Sequence, residues 1–387
     1  MKILTSAFLF GITLLTACPA FAQTTSLYAT DFEAPQFSLA TLTGQQNFIA
    51  YEGKSVGAAR VIGTAASSGT RCVQIKGATM GISHDFYQIY AGYYYPPLNY
   101  NPILSNRPRA ILRSDMAFFA NGTTVSTNAG VQLYQSDGNL IAGILVNNTG
   151  LLIGFNDDVG PGTQVNRPIT LGVYHTLTLY ADYASQITEF YLDGDSLGSV
   201  PFSRFTGDDL ADFDLFYSGS EGQPNADVNF DAYSVEVASA GSTLVTGQVD
   251  VQALSSVGFP VTFTFRPSAG ASFTRNAVLS ANGTFTLGGI PAGTYSVLVY
   301  ASLHLNSAFD LTANGTTVSN LRFQLLAGDI NGDNAIDFGD LSQLLQSYNA
   351  LEGDTLYSIA SDINRDGGID FGDLSTMLQN YNALGDD

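Results

Sequence analysis

Between positions 24 and 240, apolar and polar residues alternate in short runs that turn signals interrupt. Thr176-Leu177-Thr178-Leu179-Tyr180 alternates, as does Thr188 to Leu192, and Asp193-Gly194 follows the second run. Asn121-Gly122, Asp137-Gly138 and Asn148-Thr149-Gly150 mark further turns. Period-two patterning with a turn about every ten residues predicts an antiparallel β-sandwich. A second β stretch runs from 243 to 327. Val245 to Val249 opens it, and Asn282-Gly283 turns the chain into Thr284 to Leu287. The corner Gly289-Ile290-Pro291-Ala292-Gly293 leads into the next strand, so that Phe285, Leu287, Tyr295 and Val297 supply one apolar face. The period then changes. Leu341, Leu344, Leu345 and Tyr348 recur at helical spacing, and Leu374, Met377, Leu378 and Tyr381 repeat the stripe. Two amphipathic helices are expected there.

Composition adds direction to this layout. The 387 residues include 34 acidic against 14 basic side chains, for a formal net charge of −20. Nucleic acid is excluded as a natural partner, because phosphate binding needs clustered Lys and Arg. Cations are favoured instead. Residues 1–22 read as a secretion signal: Lys2 precedes an apolar run from Ile3 to Leu15, and Ala20-Phe21-Ala22 forms a small-residue cleavage site before Gln23. The expected location is therefore secreted, extracellular or cell-surface. Leu15-Thr16-Ala17-Cys18 offers a competing route through lipidation of Cys18, which Pro19 disfavours. No later segment is long and apolar enough to span a membrane. Either cut leaves Cys72 without an internal disulfide partner.

The last 60 residues hold twelve acidic side chains and one basic one, Arg365, and they contain an internal repeat. Asp329 to Asp340 and Asp362 to Asp373 are offset by 33 residues. Oxygen-bearing side chains fall at loop positions 1, 3, 5, 9 and 12: Asp329, Asn331, Asp333, Asp337 and Asp340, then Asp362, Asn364, Asp366, Asp370 and Asp373. At position 7, Ala335 and Gly368 have only a backbone carbonyl to give. Twelve-residue loops with this spacing wrap a hard cation with six or seven oxygens, so two calcium ions are expected. Position 6 needs a sharp turn of positive φ, which Gly367 adopts freely and Asn334 tolerates. Ile336 and Ile369 at position 8 are expected to pair the two loops through a short strand.

Loop then helix, twice, without a leading helix and with Asp at position 12, resembles the type I dockerin fold over residues 328–387. The resemblance implies calcium binding and docking onto a cohesin domain through helix residues and loop positions 10 and 11. Where that family often carries hydroxylated residues, this chain has Phe338-Gly339 and Phe371-Gly372. Both Phe side chains are expected to pack inward at the helix starts, the alternative being an apolar docking face. Residues 243–327 resemble the carboxypeptidase-regulatory-like sandwich, a supporting module. Residues 23–240 resemble laminin-G-like, concanavalin-type jelly rolls, through Tyr174 to Leu179, Phe190 to Gly194 and Asn229 to Val235. The expected fold is mainly β: a concanavalin-like jelly-roll sandwich and a small immunoglobulin-like sandwich, then a small α-helical domain with two calcium loops. Only Ala327-Gly328 separates the second sandwich from the first ligand, so the tail has its own preceding sandwich as a candidate partner.

Candidate catalysts are sparse. His84, His175 and His304 read as packing or surface residues, and Cys72 as a buried strand thiol. Asp157-Asp158, Asp193, Asp195, Asp208-Asp209, Asp212 and Asp214 read as turn residues, without the closely alternated carboxylates of sandwich glucanases. Phe86, Tyr87, Tyr90, Tyr93, Tyr94, Tyr95 and Tyr100 crowd one segment, where rings either cover an end of the sandwich or stack on a glycan. The leading expectation is a non-catalytic secreted protein that attaches or assembles through its tail. The alternative is a polysaccharide-binding or polysaccharide-degrading component that the tail recruits.

Overall fold

The computed structural model describes residues 24–46, 48–50, 59–76, 84–90, 100–120, 127–136, 138–156, 162–203, 209–219, 226–254, 258–280 and 282–387. The export segment, Cys18, Asn121-Gly122, Asp137, Asp157-Asp158, Asp208 and Tyr93 to Tyr95 lie outside the described residues.

Two sheets face each other in the first sandwich. One has the spatial order Asp195–Pro201, Ile187–Leu192, His175–Asp182, Arg109–Ala120, Ala226–Ala238, Cys72–Lys76, Ala59–Ile62, with Thr25–Thr30 also paired to Ala226–Ala238. The other runs Gln164–Pro168, Leu151–Phe155, Leu140–Asn147, Thr127–Tyr134, Asp212–Gly219, His84–Tyr90, Ile49–Ala50. The alternation along each strand sends Leu177, Leu179, Val131, Leu133, Phe213 and Leu215 into the shared core. The turn Asp193-Gly194 has φ of 51° and 81°, both positive, which is the twist a two-residue hairpin requires.

A three-stranded sheet (Thr284–Ile290, Thr243–Val251, Val318–Leu325) and a four-stranded sheet (Phe273–Val278, Pro260–Pro267, Gly293–Tyr300, Ser307–Ala313) enclose the second core. Phe285, Leu287, Tyr295 and Val297 all lie in it. The two sandwiches also meet directly. Ile111, Tyr180 and Tyr191 of the first pack on Leu244 of the second, and Arg322 pairs with Asp195 at 2.6 Å. The third core belongs to the helical tail, but Leu305 and Ala327 enter it from the preceding unit.

A buried carboxyl pair sits in the first sandwich. Asp115 and Asp231 are both fully buried, and the Ser67 hydroxyl lies 2.9 Å from one and 3.1 Å from the other. One hydroxyl proton cannot serve both carboxyls at once. Burial pushes Asp231 up to about 7, against N–H groups of Ser68 and Ala232 that favour its ionised form. Because the folded state then holds a proton that the unfolded chain releases near pH 4, stability falls as pH rises from about 4 to about 7, by up to ~4 kcal/mol. Thermal unfolding of the first sandwich in calcium-free buffer should therefore show a higher midpoint at pH 5 than at pH 7. Asp231→Asn should flatten that slope.

Candidate metal centre

The two tail loops have one architecture. At position 1, Asp329 Oδ1 accepts from Gly332 N at 2.8 Å and Asp333 N at 3.1 Å, while its Oδ2 accepts from Asn334 N at 3.0 Å. Asp362 Oδ2 likewise accepts from Gly367 N at 3.0 Å. At position 12, Asp340 Oδ1 accepts from Ile330 N (2.8 Å) and Asn331 N (3.0 Å), and its Oδ2 from Asp337 N (2.9 Å). Asp373 repeats this with Ile363, Asn364 and Asp370 at 2.7, 3.2 and 2.9 Å. Each position-12 carboxylate thus pins the start of its loop to the start of its helix. Asp337 and Asp370, at position 9, cap the helices α1 (Phe338–Gln346) and α2 (Phe371–Gln379), with Asp340 and Asp373 completing capping boxes. The Asp-x-x-Asp spacing carries that second duty, a signal that the ligand pattern overlies and hides. The remaining candidates match in both copies. Asn331 and Asn364 each donate to the carboxylate two residues on at 2.8 Å, and Asp333 and Asp366 each accept from the backbone of Ala335 and Gly368 at 3.0 Å. Position 6 turns as expected, with φ of 68° at Asn334 and 90° at Gly367.

Three expectations about the tail need correction. The loops do not pair with one another. Ile336 exchanges backbone bonds with Asn382 and Ala383 after α2, and Ile369 with Asn349 and Ala350 after α1. Each loop is therefore closed by the other repeat, and the two halves interlock about a pseudo-dyad. Phe338 and Phe371 do not pack inward: both are 70% exposed. The helix stripe buries Leu344 and Met377 completely, whereas Leu345 and Leu378 face outward. The helices are too short for the full stripe to find cover.

Among the described residues, no three His, Cys, Asp or Glu side chains converge as a metal-holding group. The hydrogen bonds show where these carboxylates point: toward backbone N–H groups and Asn amides. The donor set nevertheless fits a hard cation. It is all oxygen, two of its positions are Asn and backbone carbonyl, and Asp362 Oδ1 is buried with no hydrogen-bond partner among the described residues. Burial raises the carboxyls of Asp329 and Asp373, against backbone N–H groups that favour their ionised form. Sequence reasoning missed Tyr357. Its hydroxyl donates to Asp362 Oδ2 at 2.6 Å and is itself pushed up to about 12 by that bond. It has no counterpart in the other repeat, so the periodicity holds no signal for it.

Elsewhere the candidate chemistry is tied up. His175 has Asp193 Oδ2 at 2.7 Å and Thr170 O at 3.1 Å on its two ring nitrogens, and His304 is buried against Ser302 O and Gln252 O. Burial pushes the Cys72 thiol up to about 11. Asp212 and Asp214 are not turn residues: both lie on the strand Asp212–Gly219, buried, on the face opposite Phe213 and Leu215. Asp212 pairs in register with Tyr90 and Tyr134.

Several solved structures are similar to parts of this chain. It aligns over 37% of its length with 97% of a type II cohesin–X–dockerin complex chain from Acetivibrio cellulolyticus, at 25% identity and a TM-score of 0.31. A second such complex, an N-terminal interface mutant, gives 23% identity and the same TM-score of 0.31. A non-specific endo-β-1,3(4)-glucanase aligns over 55% of this chain and 91% of its own, at 10% identity and a TM-score of 0.35. No curated protein sequence matches the chain. Residues 327–381, which carry both loops and both helices, match the dockerin type I domain family.

Proposed function

We propose that this chain is a secreted, non-catalytic modular protein whose tail, ordered by two calcium ions, docks onto a cohesin-like domain of another extracellular protein. Asp329, Asn331, Asp333, Ala335, Asp337 and Asp340 would hold one ion, and Asp362, Asn364, Asp366, Gly368, Asp370 and Asp373 the other. Bound calcium supplies the positive charge that offsets four carboxylates per loop.

The observation that carries the docking is the outward apolar surface of the tail. Phe338, Leu345 and Leu351 are 70%, 51% and 63% exposed, and their equivalents 33 residues on, Phe371, Leu378 and Leu384, are 70%, 50% and 78% exposed. Large apolar side chains left outside so small a core mark a surface that a partner covers. The test is retention of the full chain on immobilised cohesin domains, of the types that bind type I and type II dockerins. Retention in calcium and release by a chelator is the expected result. Equal retention with and without chelator, or none on any cohesin, contradicts the reading.

A second reading is favoured by one feature: the first sandwich aligns two buried carboxyls, Asp212 and Asp214, on one face of an inner strand, and Asp212 Oδ1 has no hydrogen-bond partner among the described residues. A carboxylate oxygen accepts hydrogen bonds and a sugar hydroxyl donates them, so in this reading the face that carries Asp212 would engage a polysaccharide. On a glycan array, selective binding that Asp212→Asn and Asp214→Asn abolish would support it, and a blank array would end it.

A further inference from the structure

The two repeats are nearly the same sequence, and the places where they differ are informative. From position 329 to 351 they differ from their counterparts at only six positions: Gly332/Arg365, Asn334/Gly367, Ala335/Gly368, Gln343/Thr376, Leu344/Met377 and Ser347/Asn380. Just beyond, Glu352-Gly353 is answered by Gly385-Asp386.

The second sandwich touches the tail at these differing positions. Asn334 Oδ1 accepts from Asn306 N at 2.9 Å, and its amide donates to Asp386 O at 2.9 Å. Asn380 Nδ2 donates to Gln252 Oε1 at 2.6 Å and to Ala327 O at 2.7 Å. Asp386 Oδ2 accepts from Ala308 N at 2.7 Å, and Asp386 N donates to Asn306 O at 3.0 Å. Gly385 lets the chain come this close, because a Cβ there would stand 2.0 Å from Asn334 Oδ1 and 2.8 Å from Asn306 N. The backbone alone does not explain the asymmetry: Gly385 N bonds Asn334 O at 3.0 Å, just as Glu352 N bonds Gly367 O at 2.8 Å in the other half. The side chains of Asn334, Asn380 and Asp386, with the backbone bond of Asp386, make this face adhesive to the sandwich.

Asn334 is also the sixth residue of the first loop, and its own N–H is held by Asp329 Oδ2. Fixing this side chain on the sandwich therefore fixes the turn that sets the first loop's oxygens. Gly367, at the same place in the second loop, has no side chain to fix.

We propose that the second sandwich is a built-in partner of the tail face formed by the first loop and the chain after α2, so that filling of the loop Asp329–Asp340 is reinforced by seating on the sandwich more strongly than filling of the loop Asp362–Asp373 is. This rests on the calcium reading of the loops. Linkage makes the coupling reciprocal, with factors of about 5 to 150 between such sites. It also means that the docking surface is presented at a set angle to the rest of the chain once the first loop is filled.

The test exchanges each contact residue for its counterpart in the other repeat. In the full chain, Asn334→Gly with Asn380→Ser removes the adhesive side chains but keeps residues that the second repeat already uses at those places. Calcium chloride is titrated while the amide resonances of Gly332 and Gly367 are followed. In the unaltered chain each resonance reports the filling of its own loop. In the variant the Gly332 midpoint should move to roughly tenfold higher calcium, and that of Gly367 by less than about twofold. Equal movement of both, or of neither, overturns the inference. No response of either resonance in the unaltered chain at millimolar calcium overturns the calcium reading itself, which is a distinct outcome. Calorimetric scanning adds a second measurement. With calcium, the tail and second sandwich should melt together in the unaltered chain and separately in the variant. Separate melting in both contradicts the proposal.

Discussion

Adding a calcium chelator to the intact protein should open the tail to trypsin at Arg365 while both sandwiches stay resistant. Arg365 is the single basic residue of the last 60 and lies inside the second loop, so cleavage there reports that the tail has opened. The expectation follows from a balance of charge against core. Each loop gathers four carboxylates, and the small core beneath them contains Ile330, Ile336, Leu344, Ile363, Ile369 and Met377, helped by Leu305 and Ala327. A core of that size stabilises a unit by only a few kcal/mol. Repulsion among eight acids, two of them already raised by burial, is enough to offset it. A cation that binds only the folded loops restores the margin by mass action, about 2.7 kcal/mol at a hundred times its Kd. The interlocking of the halves makes the loss cooperative. Ile336 pairs with the chain after α2 and Ile369 with the chain after α1, so neither loop opens alone. Cleavage as slow with chelator as with calcium would show that the tail needs no ion to stay folded.

Replacing both outward phenylalanines, Phe338→Asp with Phe371→Asp, should abolish cohesin binding and leave the fold intact. A central aromatic anchor commonly accounts for about 2 to 4 kcal/mol of an interface, which is roughly 30-fold to 1000-fold in Kd. Either substitution alone should cost less than the pair, since the pseudo-dyad leaves the other patch whole. Both side chains are 70% exposed, so unfolding temperature should barely change. Binding measured on an immobilised cohesin, beside calcium calorimetry on the same samples, separates a lost surface from a lost fold. Undiminished binding by the double variant would place the docking face elsewhere.

The turn geometry of the tail loops is legible in the sequence because it is a local code: the acids at positions 1 and 12 need only a short backbone arc to reach N–H groups of their own loop. Both loops adopt the expected turn at Asn334 and Gly367. Strand alternation is equally local, and Phe285, Leu287, Tyr295 and Val297 share one core face as their period implies. What the sequence leaves hidden depends on distant partners. The inward packing expected of Phe338 and Phe371 fails because a nine-residue helix has one buried stripe, which Leu344 and Met377 already fill. The expected loop-to-loop strand fails because the dyad brings each loop to the far helix's end. Asp212 and Asp214 read like turn acids among many, and only register with Thr127–Tyr134 puts them on an inner strand. Tyr357 reaches Asp362 from the segment between the repeats, where no periodicity applies.

The proposed attachment through the tail depends on two oxygen cages, and titration calorimetry of calcium into the full chain tests them most directly. Two binding events per chain are predicted, both lost when Asp333, Asp337, Asp366 and Asp370 are together replaced by Ala. An absence of heat at millimolar calcium, with the tail still folded, would contradict both cages.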